Sequence, residues 1–136
     1  MKLRIITPRK VVLEEEINSI TLPSADGEIT ILPNHVNLFS LLNEGVVKIK
    51  YDRKEDFFAI GGGYVETNGE YVNLLVSRAY GQEVVNQTAT EKAIKQAQDM
   101  LQKAKTNEER LEASSILRRS IVDMKLIKKR RRTSLS

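Results

Sequence analysis

The segment Tyr64-Val65-Glu66-Thr67-Asn68-Gly69-Glu70-Tyr71-Val72-Asn73-Leu74-Leu75-Val76 reads as a β-hairpin. Asn-Gly supplies the positive φ of a type I′ turn, and β-branched and aromatic residues flank it on both sides. The pattern continues outward through residues 1–83. Turn signals recur at Pro8, Pro23, Asp26-Gly27, Pro33-Asn34, Asn43-Glu44-Gly45, Gly61-Gly62-Gly63 and Gly81. Between them lie short alternating or apolar runs: Leu3-Arg4-Ile5, Ile17 to Leu22, Val46 to Tyr51 and Phe57-Phe58-Ala59-Ile60. Turns every ~8–12 residues predict an antiparallel sandwich or barrel. No helix-period segment interrupts the strands, which argues against a parallel βαβ sheet.

From Val84 onward the period changes. Thr88-Ala89-Thr90-Glu91 and Thr106-Asn107-Glu108-Glu109 both have capping-box spacing, and each opens a helical pattern. Ile94, Ala97, Leu101 and Ala104 fall on one face of the first helix. Ala113, Ile116, Leu117, Ser120, Ile121, Met124 and Ile127 form the predicted stripe of the second. Small residues in both stripes permit close approach but bury little area, so docking of this hairpin is expected to be modest. Lys105-Thr106-Asn107 reads either as a turn or as a continuation of the helix; one helix over 89–128 would span ~60 Å at 1.5 Å per residue. The chain therefore divides into 1–83, a β-sandwich domain, and 84–136, a helix-loop-helix arm with a basic tail ending in Thr133-Ser134-Leu135-Ser136, which is expected to be disordered.

Charge follows the same division. Residues 1–83 hold nine Lys/Arg against twelve Asp/Glu, and residues 84–136 hold thirteen against six, for a total of +4. An acidic β domain with a basic arm suggests docking at one end and contact with an acidic partner at the other. The absence of cysteine excludes a disulfide framework and thiolate chemistry. The first eight residues lack the apolar run of a signal peptide, and no stretch approaches the ~20 apolar residues of a membrane span.

No set of residues reads as an active site. Gly61-Gly62-Gly63 is followed by a strand and by no Gly-Lys-Ser/Thr, so it is a bulge or tight turn rather than a phosphate loop. His35 is the only histidine, with Asp26 and Glu28 the nearby carboxylates; this falls short of a metal set and suggests a structural or interface role. No nucleophile elbow is present. Glu14-Glu15-Glu16 reads as a solvated strand edge. Arg118, Arg119, Lys125, Lys128 and Lys129 to Arg132 form a dense basic stretch. Nucleic acid would be one partner for it, but all seven aromatics lie outside the arm, which leaves nothing there to stack on bases. An acidic protein surface explains the same charge.

Two β segments carry a more specific signal. Asp26-Gly27-Glu28-Ile29-Thr30-Ile31-Leu32-Pro33-Asn34-His35-Val36-Asn37-Leu38, followed by Gly45-Val46-Val47-Lys48-Ile49, resembles the signature of the epsilon subunits of F-type ATP synthases. Phe58-Ala59-Ile60-Gly61-Gly62-Gly63-Tyr64-Val65-Glu66 resembles that family's second strong motif, and Ala113 to Ile121 is similar to its second helix. The resemblance implies a sandwich of about ten strands with a helical hairpin behind it, acting as a central-stalk rotor part without catalytic residues or cofactor. It implies that the sandwich binds the gamma subunit and the c ring, with Glu28, Leu32, His35 and Leu38 as candidate interface residues. It implies that the arm either folds on the sandwich or extends to oppose ATP hydrolysis. Arg118, Arg119, Lys125 and Lys128 would then face an acidic segment of a beta subunit. The expected location is peripheral, on the cytoplasmic face of the cell membrane or the equivalent face of an organelle inner membrane. Three departures stand out. Asn37 stands where a proline is common, and Asp123 where an arginine is common. Val84 to Lys105 contains no arginine, so the family's Asp-x-x-Arg-Ala nucleotide motif is missing.

Overall fold

The computed structural model describes residues 1–34 and 37–129. Ten strands come first: β1 (Lys2–Ile6), β2 (Val11–Glu16), β3 (Ser19–Ser24), β4 (Gly27–Ile31), β5 (Leu38–Leu42), β6 (Gly45–Lys50), β7 (Glu55–Ile60), β8 (Gly63–Thr67), β9 (Tyr71–Val76) and β10 (Ala79–Gly81). A 3-10 turn over Gln82–Val84 leads into α1 (Gln87–Lys103) and α2 (Asn107–Lys128). The strands pair in the order β10-β7-β6-β3-β5-β8-β9-β1-β2, with β4 on β3. The path folds over at β3, which reaches β5 only through Ser24 and Leu42. This is the β-sandwich with a C-terminal helical pair that the sequence predicts.

Strand alternation builds the core. Leu3, Ile5, Val65, Val72 and Leu74 face inward from one layer; Ile20, Leu22, Val47, Ile49, Phe58 and Ile60 face them from the other. Full burial of each such side chain is worth roughly 1.5–3 kcal/mol. β7 is different because both of its faces are covered. Phe58 and Ile60 enter the sandwich core, while Phe57 and Ala59 lie in a second cluster with Val122 and Leu126 of α2. A strand buried on both faces needs a continuous apolar run, and Phe57-Phe58-Ala59-Ile60 is one.

One strand pair departs from the antiparallel expectation: β1 runs parallel to β9, from Lys2 opposite Tyr71 to Ile6 opposite Leu75. Parallel neighbours need a long crossover, and strands β2 to β8 supply it. The glutamates of β2 lie at the end of the sheet path, as expected of an edge. Glu14 meets Lys2 at 3.1 Å and Arg4 at 3.1 Å. The hydrogen bond from Lys2, with its charge, leads in holding the Glu14 carboxyl below its ordinary pKa.

The hairpin between β8 and β9 forms where expected, but its turn is not type I′. Gly69 alone in that turn has positive φ, at 92°. The Asn68 side chain instead accepts from the backbone N–H groups of Glu70 at 3.0 Å and Tyr71 at 3.2 Å. Gly61 and Gly62 connect β7 to β8, and Gly63 is the first residue of β8. A Cβ on Gly63 would lie 2.0 Å from the Leu75 carbonyl oxygen and 2.7 Å from the Val76 Cα.

The helices begin close to the predicted boundaries. Thr106 caps α2, accepting from the Glu109 N–H at 3.1 Å, while the Glu109 carboxylate reaches the Lys105 N–H at 3.3 Å. The linker is thus a turn. The α1 cap is Asn86 rather than Thr88; its side chain accepts from the Ala89 N–H at 2.9 Å. Asn two residues upstream adds half a turn and still satisfies an orphan donor.

Gly63→Ala should destabilise the sandwich by about 1–3 kcal/mol, because the clashing atoms are backbone and cannot rotate away. Urea unfolding of the full chain would register this as a lower midpoint at unchanged slope.

Candidate functional site

Two surfaces of the sandwich stand out, and they lie on opposite layers. The outer face of β6, β7 and β10 carries the arm. Val46, Tyr80 and Val85 surround Phe57, Ala59, Val122 and Leu126 there. α2 makes the arm's main contact with the strands, while α1 packs chiefly on α2. The predicted α2 stripe is only partly the docking face. Ala113 and Ser120 are buried, and Leu117, Met124 and Ile127 are half-buried. Ile116 and Ile121 are exposed. Ile121 therefore does not help to hold the arm, and Val122 and Leu126 do so instead. α2 has two partners, α1 and the sandwich, so its apolar positions divide between two directions and no single stripe describes it.

Polar contacts frame this apolar seam. Glu44, between β5 and β6, accepts from Nη2 of Arg78 at 2.7 Å and from Nε of Arg118 at 3.3 Å. Burial pulls the Arg78 guanidinium pKa down, but hydrogen bonds to Glu44 and Tyr80 outweigh it, and the net shift is upward. The Tyr80 hydroxyl donates to the Asp123 carboxylate. The Arg119 guanidinium stands 5.9 Å from the centre of the Tyr80 ring. Gln82 donates through Nε2 to the Leu126 carbonyl at 2.8 Å and to that of Lys129, both at the end of α2. The Leu126 carbonyl also accepts from the Lys129 N–H at 3.2 Å, so the glutamine adds a second donor where the helix runs out of its own. Lys129 lies 5.8 Å from the Phe57 ring centre. Beside the seam is a cavity of about 420 Å³ whose lining includes Glu28, Glu44, Lys48, Lys125 and Lys129.

The outer face of the other layer is bare. Registered pairs place Leu41 opposite Tyr64, Tyr64 opposite Leu75, Leu75 opposite Ile6, and Ile6 opposite Val11. This apolar row crosses five strands. Phe39 extends it and lies 5.1 Å from Tyr64, centre to centre. Phe39 is 63% exposed and Leu41 61%. An apolar row of this kind on an uncovered sheet face is the mark of a docking surface.

The predicted interface residues scatter. Glu28 and Leu32 stand at opposite ends of β4, roughly 13 Å apart at ~3.3 Å per residue, with Glu28 beside the arm and Leu32 exposed at the far end. Asn34, at φ 64°, donates its N–H to the Gly69 carbonyl at 3.1 Å, which ties the Leu32 loop to the β8–β9 turn. His35 lies outside the described residues. Leu38 packs inward on the core, whereas Phe39 and Leu41 point out. Of the arm cations, Arg118 and Arg119 engage the sandwich, Lys125 lines the cavity, and Lys128 is exposed. Arg130, Arg131 and Arg132 lie outside the described residues. Sequence reasoning missed Glu44, Tyr80, Gln82, Phe39 and Leu41. The available signals were the uninterrupted Phe57 to Ile60 run, which requires a cover on each side, and the alternation of Leu38, Ser40 and Leu42 against Phe39 and Leu41. Among the described residues, no group of three or more His, Cys, Asp or Glu is placed to hold a metal. No helix among them is long and apolar enough to cross a membrane.

Residues 1–82 match the family model for the ATP synthase delta/epsilon chain β-sandwich domain. The chain is 35% identical to the ATP synthase epsilon chain of Sulfurovum sp. (strain NBC37-1), over 79% of this chain and 84% of that one.

The chain belongs to the ATP synthase epsilon-chain family.

The epsilon chain of Herpetosiphon aurantiacus is 30% identical over 96% of both proteins, so the family relationship spans the helices as well as the sandwich. The fold is also that of a chain in the cryo-EM structure of Euglena gracilis mitochondrial ATP synthase (OSCP/F1/c-ring, rotational state 1). That match has a TM-score of 0.81 and 21% identity, covering 90% of this chain and 78% of that one. A chain of the Tetrahymena thermophila mitochondrial ATP synthase central stalk/c-ring structure matches at a TM-score of 0.66 and 19% identity, covering 93% of this chain and 96% of that one.

Leu126→Ala should weaken arm docking by about 2–5 kcal/mol, since a fully buried leucine is lost from a small cluster. Amide exchange should then rise throughout α2 but not in the sandwich strands. A second expectation concerns pH. Burial first, and the hydrogen bond to Asp123 second, hold the Tyr80 hydroxyl above its ordinary value of 10.0. A group whose pKa is raised by folding stabilises fully below its unfolded value and loses that contribution as pH rises through the folded one. Arm protection in the wild type should therefore fall faster above pH 10.0 than in Tyr80→Phe, and the two should differ at neutral pH by about 1 kcal/mol, the worth of one hydrogen bond.

Proposed function

We propose that this chain is a central-stalk rotor subunit of a proton- or sodium-translocating F-type ATP synthase and does no chemistry itself. Residues 1–83 couple the gamma subunit to the c ring, and residues 84–136 form the arm that regulates ATP hydrolysis. The observation that carries this reading is the apolar row from Leu41 to Val11 on the uncovered layer. A row of that extent suits a broad protein partner, and gamma is the partner this reading assigns to it. The sandwich end that bears Leu32, Tyr71 and the β8–β9 turn faces the c ring in this reading, and His35 is a candidate residue of that contact. Membership of the epsilon-chain family supports both assignments, and the Euglena and Tetrahymena structures with their c rings supply the same context for those proteins. The subunit sits peripherally, on the cytoplasmic face of the cell membrane or its organelle equivalent.

The docked arm and an extended arm would compete for the same cations. Docked, Arg118 is held by Glu44 and Arg119 by Tyr80. Extended, Arg118, Arg119, Lys125 and Lys128 turn to an acidic segment of a beta subunit. Each exposed pair is worth ~0–1 kcal/mol, whereas moving an equilibrium from 1:99 to 99:1 takes about 5.5 kcal/mol. Four such pairs reach at most ~4 kcal/mol, a large part of that switch but not all of it, and any one of them moves it little.

Removing residues 84–136 should leave coupling in the assembled complex largely intact and raise its ATP hydrolysis. Unchanged hydrolysis would sink the inhibitory role. The double variant Phe39→Ser/Leu41→Ser changes only exposed side chains. It should keep the unfolding midpoint within a few degrees while losing at least tenfold in affinity for isolated gamma, as measured by surface plasmon resonance.

A further inference from the structure

Asn68 and Gly69 form the tip of the β8–β9 turn, and each has a structural reason to be there. Gly69 has φ 92°, in the region that favours glycine. Asn68 supplies the side-chain oxygen that accepts from the N–H groups of Glu70 and Tyr71. The same pair is chemically labile. Glycine places no side chain beside its own nitrogen, so that nitrogen has open access to the asparagine carbonyl carbon Cγ. The Gly69 nitrogen gives up its proton and forms a bond to Cγ; the bond from Cγ to Nδ2 breaks, and Nδ2 leaves with that proton as ammonia. The product is a cyclic imide. One water then opens either of its two C–N bonds, which yields aspartate or isoaspartate at position 68.

The turn assembles one half of this reaction and withholds the other. The Glu70 and Tyr71 N–H groups stand 3.0 and 3.2 Å from Oδ1, where negative charge gathers as the carbonyl is attacked, so they activate the carbon. The nucleophile is held back. Gly69 is buried, although Asn68 is exposed, and the Gly69 N–H donates to Oγ1 of Thr67 at 3.2 Å. Thr67 is itself only 5% exposed, and its hydroxyl donates to the Tyr71 carbonyl at 2.7 Å, which leaves its lone pairs for Gly69.

We propose that Asn68-Gly69 is a latent site of succinimide formation and that Thr67 is the positioning residue that keeps it closed. Opening of the imide to aspartate would keep an acceptor at position 68 and add a negative charge. Opening to isoaspartate would route the main chain through Cγ and lengthen it by one carbon. That shift would move the Gly69 carbonyl, which accepts from the Asn34 N–H at 3.1 Å and ties the Leu32 loop to this turn. The modification would thus reach the Leu32 loop through a single hydrogen bond. The inference stands on the turn alone and is independent of the rotor assignment.

The full chain would be incubated at neutral pH in water labelled with heavy oxygen, beside a synthetic peptide of residues 64–76. Mass spectrometry of digests would follow conversion at position 68, and the label marks each imide opened during the incubation. The folded chain should convert at least ~5-fold more slowly than the peptide, the rate equivalent of one hydrogen bond. Thr67→Val, which keeps the shape and removes the hydroxyl, should accelerate conversion by a similar factor. Thr67→Ser keeps the hydroxyl and should stay close to the wild type. Amide exchange in β8 and β9 would establish that each variant keeps its strands. A wild-type rate equal to that of the peptide would overturn the proposal. So would a Thr67→Val chain with intact strands that converts no faster than the wild type. Should Thr67→Val open the strands, the ratio of wild type to peptide decides alone.

Discussion

The double burial of β7 is the constraint from which the rest of this architecture follows. Phe58 and Ile60 can close the sandwich only if Phe57 and Ala59 are left on the opposite face, because successive side chains alternate. That opposite face is too apolar to remain in water, so Val122 and Leu126 cover it. The arm is thus attached by a requirement of the sandwich itself. The other layer has no such strand: its outward row mixes Tyr64, Leu75 and Ile6 with Glu66, Asn73 and Arg4 in the next row, and it can stand uncovered until a partner arrives.

The seam is small for the length of helix that it anchors. Four residues form its buried core, and α1 adds little contact with the strands. Its polar frame uses groups that gain little from being there: Arg118 remains mostly in solvent while paired with Glu44. Such a joint specifies one position without making departure from it costly. The exception is Gln82, which satisfies carbonyls at the end of α2 from the 3-10 turn that leads into α1. Because that turn is also where the arm leaves the sandwich, rotation of the arm about it would break the cap while the chain itself stays continuous.

Strands β1, β3 and β6 to β9 were legible because turn signals flank their alternating or apolar runs, and the helix starts were legible because caps are local. Asn86 replaced Thr88 as a cap since several residues near a boundary can serve, and tertiary contact selects among them. What stayed hidden was whatever depends on two distant segments at once. Glu44 in Asn43-Glu44-Gly45 looks like turn punctuation until Arg78 and Arg118 arrive beside it. Ile121 and Val122 are equally apolar neighbours, and only the direction of the sandwich determines which one is covered. Leu38 and Phe39 present the same ambiguity, and a one-residue error in face assignment exchanges core for surface.

The parallel pairing of β1 with β9 has a kinetic consequence. The first strand of the chain has β2 on one side and, on the other, only a strand that begins at Tyr71. Closing a loop of that length costs roughly 4 kcal/mol of chain entropy before any contact repays it. During synthesis the sheet must therefore wait half-built, with Leu3 and Ile5 unsatisfied, until most of the sandwich has emerged. The arm is last in order, so it meets a finished surface and never a competing, partly formed one.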